Sequence, residues 1–394
     1  MILRKLVILA CVLSFWLAGV SYALIQLGTL HNQSREIIFV RDSIGLRGHG
    51  YNMLDIDRLL EINLSTIFNM PQWSPDGELL LYDDYFRSDI VIQTRQGEIR
   101  NLTNNPAGDF DPRWSPDGTM IAFRSDRTDV MELYVMDADG TNIRQVNSAF
   151  GNVLFGLWSP DSQKIAYFVA NGGIGGFYIM DVDTVETAEP ELVATSLVGC
   201  TNYQWSPDSR FLMCYMQPAD DIFRMDVETD ATLNLTNHPA SDTNPVWSPD
   251  GSLIAFQSDR GRSMDIYVMD ADGNNPRNLT NHPQPEGYPQ WSPDGTRLLY
   301  TGGTSAQPQL YTVDIVSGET IHLTESLYQQ SPSATFFSNL GNGSFWSPDG
   351  EQVIFRVANG QGRQLYIVNV DGTGLRAITR ANPLASDSDP RWRP

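Results

Sequence analysis

The chain has 394 residues and carries 26 basic against 47 acidic side chains, a formal net charge of −21 at pH 7. This charge argues against a nucleic-acid partner, because phosphate binding requires clustered lysine and arginine. Hydrophobic residues make up 41% of the chain, which excludes a disordered or fibrous protein. Aspartate outnumbers glutamate by 34 to 13, and this excess, with 32 glycines and 23 prolines, favours a turn-rich all-β fold.

The N-terminal residues 1–27 are predicted to be a membrane anchor or a signal segment, and residues 28–35 a linker. Arg4 and Lys5 precede 22 uncharged residues, 6–27, which is enough for a helix to cross a bilayer. A cleaved signal is the alternative, because residues 21–23 offer small side chains to a peptidase. By the positive-inside rule the rest of the chain lies outside the cytoplasm in either case. We therefore expect a single-pass membrane protein, or a periplasmic or secreted one if the segment is cleaved.

Residues 36–394 contain a repeat that begins Trp-Ser-Pro-Asp. Its tryptophans are Trp73, Trp114, Trp158, Trp205, Trp247, Trp291 and Trp346, and a truncated copy at Trp392 ends the chain. The spacings are 41, 44, 47, 42, 44, 55 and 46 residues. A period of about 40–45 residues is typical of the four-stranded blades of a β-propeller.

The copy that starts at Trp247 illustrates how each part of the repeat folds. Residues 248–251, Ser-Pro-Asp-Gly, predict a tight hairpin turn after a first strand, a. The apolar residues 253–256 predict a strand, b, that is buried on both faces. A polar loop leads to strand c at 266–269, and the turn 270–273 leads to the edge strand, d, at 278–280.

The two ends of the chain predict how the ring closes. Residues 36–65 match strands b, c and d of a repeat and have no strand a, whereas residues 389–392 match a strand a alone. Joining them gives seven whole blades and one split blade, and leaves no open sheet edge. We therefore predict eight blades, with a seven-bladed ring as the alternative. Ser162 and Ser209 replace the turn glycine in two copies, which costs about 1 kcal/mol each if φ is positive there.

The repeat resembles that of the TolB β-propeller family, whose pattern runs P-x-W-S-P-D-G, then I-A-F, a tyrosine strand and L-T. The resemblance covers residues 36–394 and implies an extracytoplasmic scaffold that binds partners. TolB has an additional N-terminal domain and fewer blades, so the resemblance does not extend to a Tol–Pal role. The repeat is also similar to the propellers of prolyl-oligopeptidase-type peptidases. Only 48 residues follow Trp346, so we expect no hydrolase domain.

The motifs of the repeat predict structural turns rather than catalytic or metal-binding sites. The aspartate of each Trp-Ser-Pro-Asp recurs in an identical context, which is typical of a turn residue. Residues 137–140 and 270–273, Asp-Ala-Asp-Gly, resemble the start of a calcium loop, but neither copy supplies the glutamate that an EF-hand has at position twelve. His238 and His282 occupy equivalent positions on successive blades, too far apart to bind one zinc ion together. We expect no cofactor and no metal ion.

Partner binding is predicted on the rim that carries the d–a and b–c loops, because these loops vary while the hairpin turns are copied. Trp346 follows residue 324 at a spacing of 22 where 11 is usual, and aromatic side chains in this insertion suit a protein or glycan partner of the cell envelope. The candidate partner-binding residues of this rim are Arg41, Arg47, Arg127, Arg260, Arg262, Tyr328, Phe336 and Phe337. A loop packed on itself is the alternative for the insertion.

No nucleophile elbow, metalloprotease motif or phosphate loop occurs in the sequence. The sequence therefore favours a non-catalytic scaffold, tethered to the membrane, over an enzyme. The alternative is a carbohydrate- or peptide-processing enzyme that uses the central channel of the propeller. Cys200 and Cys214 flank one hairpin and could form a disulfide or remain buried thiols, and Cys11 lies in the N-terminal segment.

Overall fold

Four-stranded antiparallel blades recur eight times along the chain, and we number them 1 to 8 around the ring. The computed structural model describes residues 35–394 apart from 44–48, 56–59, 67–70, 85–86, 147–151, 172–173, 185–190, 193–199, 305–306, 331–334, 337–344, 360–361 and 380–384. Six blades are separate sheets, whereas blades 8 and 1 are joined in one sheet of eight strands. The prediction of an all-β propeller with eight blades is confirmed.

The strand bounds follow, with strands a, b, c and d of each blade in that order. Blade 1 comprises Ala385–Trp392, Glu36–Ser43, His49–Asp55 and Leu60–Thr66; blade 2, Gln72–Trp73, Leu79–Asp84, Asp89–Thr94 and Ile99–Asn101; blade 3, Asp109–Trp114, Met120–Ser125, Glu132–Asp137 and Arg144–Gln145; and blade 4, Asn152–Trp158, Lys164–Asn171, Ile174–Asp181 and Glu191–Leu192. Blade 5 comprises Cys200–Trp205, Phe211–Met216, Asp221–Asp226 and Thr232–Asn234; blade 6, Asp242–Trp247, Leu253–Ser258, Asp265–Asp270 and Arg277–Asn278; blade 7, Glu286–Trp291, Arg297–Thr304, Gln307–Asp314 and Thr320–His322; and blade 8, Thr335–Phe336, Gln352–Asn359, Gly362–Asn369 and Arg376–Ala377.

Among the residues that the structure describes, two short helices interrupt this pattern: a 3₁₀ turn at Val182–Thr184 and an α-helix at Glu325–Gln330. In the described part of the chain, no helix has the length and apolar character that crossing a membrane requires. The predicted anchor, residues 1–27, and residues 28–34 of the linker lie outside the described residues.

The insertion between blades 7 and 8 differs from the loop that we expected. It contains the α-helix Glu325–Gln330 and the short strand Thr335–Phe336. This strand pairs with strand b of its own blade, because Phe336 lies opposite Val357. Part of the insertion thus completes blade 8, since an exposed strand b would otherwise leave backbone groups unpaired.

Adjacent blades are fastened together by the tryptophans of the repeat. In five of the eight copies, the indole Nε1 donates a hydrogen bond to a backbone carbonyl oxygen of strand a, or of the residue before the repeat tryptophan, in the preceding blade. These pairs, 3.1–3.4 Å long, are Trp158 to Arg113, Trp205 to Leu157, Trp291 to Val246, Trp346 to Gln290 and Trp392 to Phe345. A hydrogen bond of this kind contributes about 1 kcal/mol, in addition to the burial of the ring.

The two turn serines adopt the left-handed conformation and make a compensating contact. Ser162 and Ser209 have φ values of 64° and 62°, as the repeat predicts. Their hydroxyls accept hydrogen bonds of 3.0 Å from the backbone N–H groups of Asp117 and Asp161, each in the turn of the preceding blade. The serine therefore offsets the cost of its backbone conformation with a bond that glycine cannot form.

The C-terminal strand closes the ring as the sequence predicts. Strand a of blade 1 pairs antiparallel with strand b, so that Trp392 lies opposite Ile37. Arg393 then donates from Nε to the carbonyl oxygen of Gly77 in blade 2, at 2.8 Å. The buried carboxylate of Glu36 lies 2.5 Å from Arg95 Nη2 and 3.5 Å from Arg393 Nη1. Closure of the ring is thus stabilised both by strand pairing and by the ion pairs of Glu36.

Cys200 and Cys214 are joined by a disulfide between strands a and b of blade 5. Their Cα atoms are 5.7 Å apart, within the range that a disulfide spans. The residues are diagonal neighbours, because Cys200 lies opposite Met216 and a bulge follows in strand a. The structure thus selects the disulfide over the two buried thiols that the sequence also allowed.

Deletion of residues 388–394 is expected to lower the free energy of unfolding by more than about 5 kcal/mol. It removes the strand that pairs with strand b, and loss of a buried tryptophan such as Trp392 alone costs about 3–5 kcal/mol. Deletion of Pro394 alone, which is exposed, is the control and should leave the protein unchanged. Thermal and urea unfolding measure the difference, and equal stability of the two deletions would contradict ring closure by this strand.

Reduction of the disulfide is expected to lower the free energy of unfolding by about 3 kcal/mol, given the 14 residues that separate the cysteines. Alkylation without reductant should leave Cys200 and Cys214 unmodified, and intact-mass spectrometry after reduction should show both modified. Modification of both before reduction would show that they are free thiols.

Candidate functional site

The hairpin rim of the propeller is built from turns whose aspartates are structural. In each of the seven Trp-Ser-Pro-Asp copies, the serine hydroxyl donates to the aspartate two residues on, at 2.5–2.6 Å. This hydrogen bond lowers the pKa of Asp76, Asp250 and Asp294, because it favours the carboxylate. The interpretation of these aspartates as turn residues is confirmed.

The Asp-Ala-Asp-Gly segments are also turns. Gly140 and Gly273 have φ values of 84° and 87°, and each donates its backbone N–H to the first aspartate of its segment. Among the described residues, no group of three or more histidine, cysteine, aspartate or glutamate side chains could hold a metal ion.

On the opposite rim, the Asn-Leu-Thr segment of strand d binds the acid that begins strand c. In blade 6, Asn278 donates from Nδ2 to Oδ2 of Asp265 at 2.7 Å, and the following loop turns back so that the backbone N–H of His282 lies 3.3 Å from Oδ1. The Nδ1 of His282 accepts a bond from the backbone of Gln284, and His238 does the same in blade 5. The two histidines therefore position loops.

Two of the predicted rim arginines are engaged inside their blades. Arg260 donates from Nη2 to Oδ2 of the buried Asp242 at 2.6 Å and from Nε to Ser258 at 2.9 Å. Its guanidinium carbon lies 5.3 Å and 5.2 Å from the ring centroids of Phe256 and Tyr267. This arrangement combines an ion pair with cation–π contacts, so Arg260 is not free on the rim as we expected.

Blade 3 repeats this arrangement with other residues. Arg127 lies 2.9 Å from the buried Asp109 and donates to Ser125, and its guanidinium carbon lies 5.4 Å and 4.6 Å from Phe123 and Tyr134. Arg127 is therefore not free on the rim either, because burial of the acid requires its partner to turn inward.

Of the remaining rim candidates, the structure describes the side chains of Arg41 and Arg262 only. Arg41 is half-buried within strand b of blade 1, with its guanidinium carbon 5.2 Å from the ring of Phe39, so it does not belong to a loop. Arg262 is exposed in the b–c loop of blade 6. Tyr328 lies in the helix of the insertion and Phe336 in strand a of blade 8, and their side chains lie outside the described residues, as do Arg47 and Phe337.

The central channel is bordered by strand a of each blade, and four of these strands carry a bulge at the same position. The strands a of blades 6 and 7 contact each other, as expected for the innermost strands of a ring. The bulged residues Asp111, Asn202, Asn244 and Tyr288 have left-handed φ values of 49–55°. A bulge redirects its side chain. Two of these side chains bond to strand b of their own blade, because Asp111 accepts from Arg124 and Asn244 donates to Gln257. Tyr288 is 46% exposed.

Blade 7 departs from the other blades at the start of strand a. Glu286 takes the place of Asp242 in blade 6 and of Asp109 in blade 3, and its side chain is only 5% exposed. The carboxyl atom Oε2 has no hydrogen-bond partner among the described residues, as is also the case for one oxygen each of Asp109 and Asp242. Gly302 lies opposite Glu286, where blade 6 has Ser258. The hydroxyl and the arginine that hold the acid in blade 6 are therefore both replaced.

Burial raises the pKa of Glu286 to about 7, and the neighbouring carboxylate of Asp265 acts in the same direction. The Thr280 hydroxyl bonds to the carboxyl and opposes this shift only in part. For Asp242, burial also raises the pKa, but hydrogen bonds from Ser258 and Arg260 and the charge of Arg260 oppose it. Glu286 is thus a buried acid that changes its protonation near neutral pH, as groups at functional sites often do.

Aromatic residues surround this acid. The rings of Tyr300 and Tyr311 stack with centroids 5.4 Å apart, and His322 stacks on Tyr311 at 4.4 Å. A Cβ atom at Gly302 would lie 2.9 Å from Cε2 of Tyr311, so only glycine lets this ring take its place. Burial raises the pKa of Tyr311 and lowers that of His322.

Sequence reasoning missed Glu286, although the repeat contains a signal for it. Aligned on the tryptophans, the start of strand a has Asp109 in blade 3 and Asp242 in blade 6, each with an arginine 18 residues on. Blade 7 keeps the acid as glutamate and has Thr304 where the arginine should be. An acid that lacks the arginine present in the other two copies would have identified this position from the sequence alone.

Comparison with known proteins places the repeat in a family and relates it to peptidases. A model of the TolB beta propeller domain matches residues 128–336, just over half of the chain. An uncharacterized peptidase of Bacillus subtilis, YuxL, is 28% identical over 200 residues, which are 48% of this chain and 29% of that protein. The Tol-Pal system protein TolB of Desulfosudis oleivorans is 34% identical over 105 residues, 26% of this chain and 23% of that protein.

Among solved structures, dipeptidyl peptidase 4 of Porphyromonas gingivalis superposes with a TM-score of 0.57 and 15% identity, over 78% of this chain and 52% of that chain. A likeness at this identity shows the propeller fold alone. The chain spans less than a third of the length of the curated relatives that it matches.

The prediction of a non-catalytic scaffold is contradicted by these comparisons. The relative that aligns over 200 residues is a peptidase, and the enzyme that we held as the alternative fits this finding better. The prediction relied on the lack of a catalytic motif in the sequence. That criterion misses acids such as Glu286, whose chemistry comes from burial and from neighbours brought together by the fold.

The substitution Glu286→Gln is expected to reduce the loss of stability between pH 5 and pH 8. In the folded protein, Glu286 holds its proton up to a pKa of about 7, whereas in the unfolded chain it releases it near 4.5. The folded state therefore binds more protons in this window, and the free energy of unfolding falls as the pH rises through it. The effect is on the order of 3 kcal/mol, because the pKa rises from 4.5 to about 7 and each unit corresponds to about 1.4 kcal/mol.

Urea unfolding at pH 5, 6, 7 and 8 measures this dependence. Asp265, Thr280, Tyr300 and Tyr311 face the acid in both proteins, so the difference between them isolates residue 286. Glu319→Gln, at an exposed position of the same blade, is the control and should follow the parent. Parallel curves for Glu286→Gln and the parent would contradict the shifted pKa.

Proposed function

Since this chain belongs to the TolB β-propeller domain family, we propose that it is a peptide-processing enzyme that admits its substrate through the central channel of the propeller. The match to the peptidase YuxL over 200 residues is the observation that carries the proposal. The matched residues include much of the propeller, whose strands a border the channel.

The wall of the channel suits a peptide. The bulged residue Asn202 offers an exposed amide group, which can hydrogen-bond to peptide backbone, and Tyr288 offers an exposed aromatic face. Because side chains at these bulges stand on a rigid ladder, they can hold an extended chain in one position, which is what positioning a substrate requires.

The charge of the protein favours basic peptides. A net charge of −21 produces a negative field, and a cleft lined by such a field concentrates cations and raises their rate of association. We therefore propose a peptide as the partner, in preference to a glycan.

We further propose that the enzyme acts outside the cytoplasm. The disulfide between Cys200 and Cys214 supports this location, because disulfides persist in oxidising compartments. The family resemblance to TolB points the same way, and the apolar residues 6–27 would export the chain or hold it at the membrane.

The full-length protein should cleave members of a mixed-sequence peptide library at neutral pH, with products detected by mass spectrometry. The substitution Asn202→Trp narrows the channel at an exposed bulge, where Tyr288 shows that blade 7 accepts an aromatic residue. We expect it to lower the cleavage rate by about 10–100-fold, the size of effect that misplacing a substrate has.

Val316→Trp places the same side chain on a hairpin turn at a residue that is 92% exposed, and it should cleave like the parent. No cleavage by the parent would overturn the proposed activity. Equal rates for the parent and Asn202→Trp would show that the substrate does not use the channel.

A further inference from the structure

Blade 6 builds a closed site for a guanidinium group from its own residues. The site consists of the carboxylate of Asp242, the hydroxyl of Ser258 and the rings of Phe256 and Tyr267, and Arg260 fills it. Blade 3 builds the same site and fills it with Arg127. The repeat thus contains a recurring arrangement whose purpose in these two blades is to bury an arginine.

Blade 7 keeps the acidic and aromatic parts of this arrangement. Glu286 stands at the position of the carboxylate, and Tyr300 and Tyr311 stand at the positions of the two rings. Their centroids are 5.4 Å apart, compared with 5.7 Å for the corresponding rings of blade 6. The components that attract a guanidinium are therefore present.

Blade 7 has no arginine at the corresponding position, and its strands b and c pair further along than those of blade 6. Strands b and c run on to Thr304 and Gln307, which pair with each other, and only residues 305–306 connect them. In blade 6, residues 259–264 form the connection and carry Arg260. Position 304, which corresponds to Arg260 in blade 6, therefore lies in the ladder and is occupied by threonine.

Without an arginine, two acids lie together. Asp265 accepts bonds from Asn278 and from the backbone of His282. Glu286 lies close enough for this charge to raise its pKa, and its Oε2 is buried and without a partner among the described residues. A bound guanidinium would offset one of the two negative charges, and its own charge would favour release of the proton from Glu286.

Residues next to the site are exposed at the rim. Gln284 and Pro285, which precede Glu286, are exposed, and so is Thr304 at the end of strand b. Tyr288 places an exposed aromatic ring two residues further along the same strand, in a left-handed conformation that is unusual for a bulky residue. Such strain is retained where the surrounding structure holds the residue for a use.

We propose that this site of blade 7 binds the guanidinium group of an arginine side chain in a peptide, with Glu286 as its ionic partner and Tyr300 and Tyr311 as its aromatic neighbours. The arginine of the ligand takes the place that Arg260 occupies in blade 6. The inference rests on the proposed function for the source of the guanidinium, since a peptide substrate supplies it. It adds to that function a preference for arginine.

Isothermal titration calorimetry of the full-length protein with N-acetyl-arginine amide and N-acetyl-citrulline amide tests the site. Citrulline has nearly the shape of arginine without the charge. At pH 8 we expect arginine amide to bind at least about tenfold more tightly, because a charged, desolvated pair contributes more than a neutral hydrogen bond. The affinity should fall as the pH is lowered from 8 to 6, where Glu286 regains its proton. Equal binding of the two amides would overturn the proposal.

Two substitutions test the site, one by removing its negative charge and the other by occupying it with a guanidinium group. Glu286→Gln removes the charge, and Thr304→Arg supplies an internal guanidinium where blade 6 has one. Each should weaken the binding of arginine amide by about tenfold or more. Val316→Arg adds the same charge on the opposite rim of the same blade and should bind like the parent. If Thr304→Arg does not fold, Glu286→Gln alone decides, and unchanged binding by it would contradict the role of the acid.

The binding and cleavage measurements separate this inference from the proposed function. Arginine-selective binding without cleavage of any peptide would support the site and overturn the enzyme. Cleavage without a preference for arginine, together with equal binding of the two amides, would support the enzyme and overturn the site.

Discussion

The propeller depends on closure of its ring, because each blade buries its faces only against its two neighbours. Closure is made at one joint, where the C-terminal strand a enters blade 1 and Trp392 reaches the carbonyl oxygen of Phe345 in blade 8. Arg393 and Glu36 tie this joint to blade 2. A ring fastened in this way unfolds as a whole, since opening one joint exposes the faces of two blades. Rigid placement of the strands around the channel follows from it.

Most of this architecture could be predicted from the sequence, because each blade corresponds to one copy of a sequence repeat. The Trp-Ser-Pro-Asp period gave the blades, and the incomplete copies at the two ends gave the closure. The left-handed φ of Ser162 and Ser209 followed from their place in the turn, whereas the bonds that these hydroxyls accept from the turn of the preceding blade could not be foreseen. Repetition defines a backbone more firmly than it defines side-chain partners.

The candidate site was harder to predict, because it depends on which way a side chain turns. Arg127 and Arg260 lie in polar loops, and such a context is typical of exposed arginine. The structure turns both inward onto buried acids, which no local pattern indicates. Glu286 is the converse case, since its acid is present and its arginine is not. Only the comparison of one blade with another, at the level of contacts, distinguishes these positions.

The concentration of exceptions in blade 7 argues that this blade carries the function. Its acid lacks an arginine, its bulge holds Tyr288 where other blades hold aspartate or asparagine, and Gly302 leaves room for a tyrosine ring beside the acid. Each choice is unfavourable for stability by itself: a buried acid, a strained tyrosine and a glycine within a strand. In a repeat protein the other blades supply the stability that one blade gives up. A natural sequence departs from its own consistent pattern mainly at functional sites, and here three departures meet at the start of one strand.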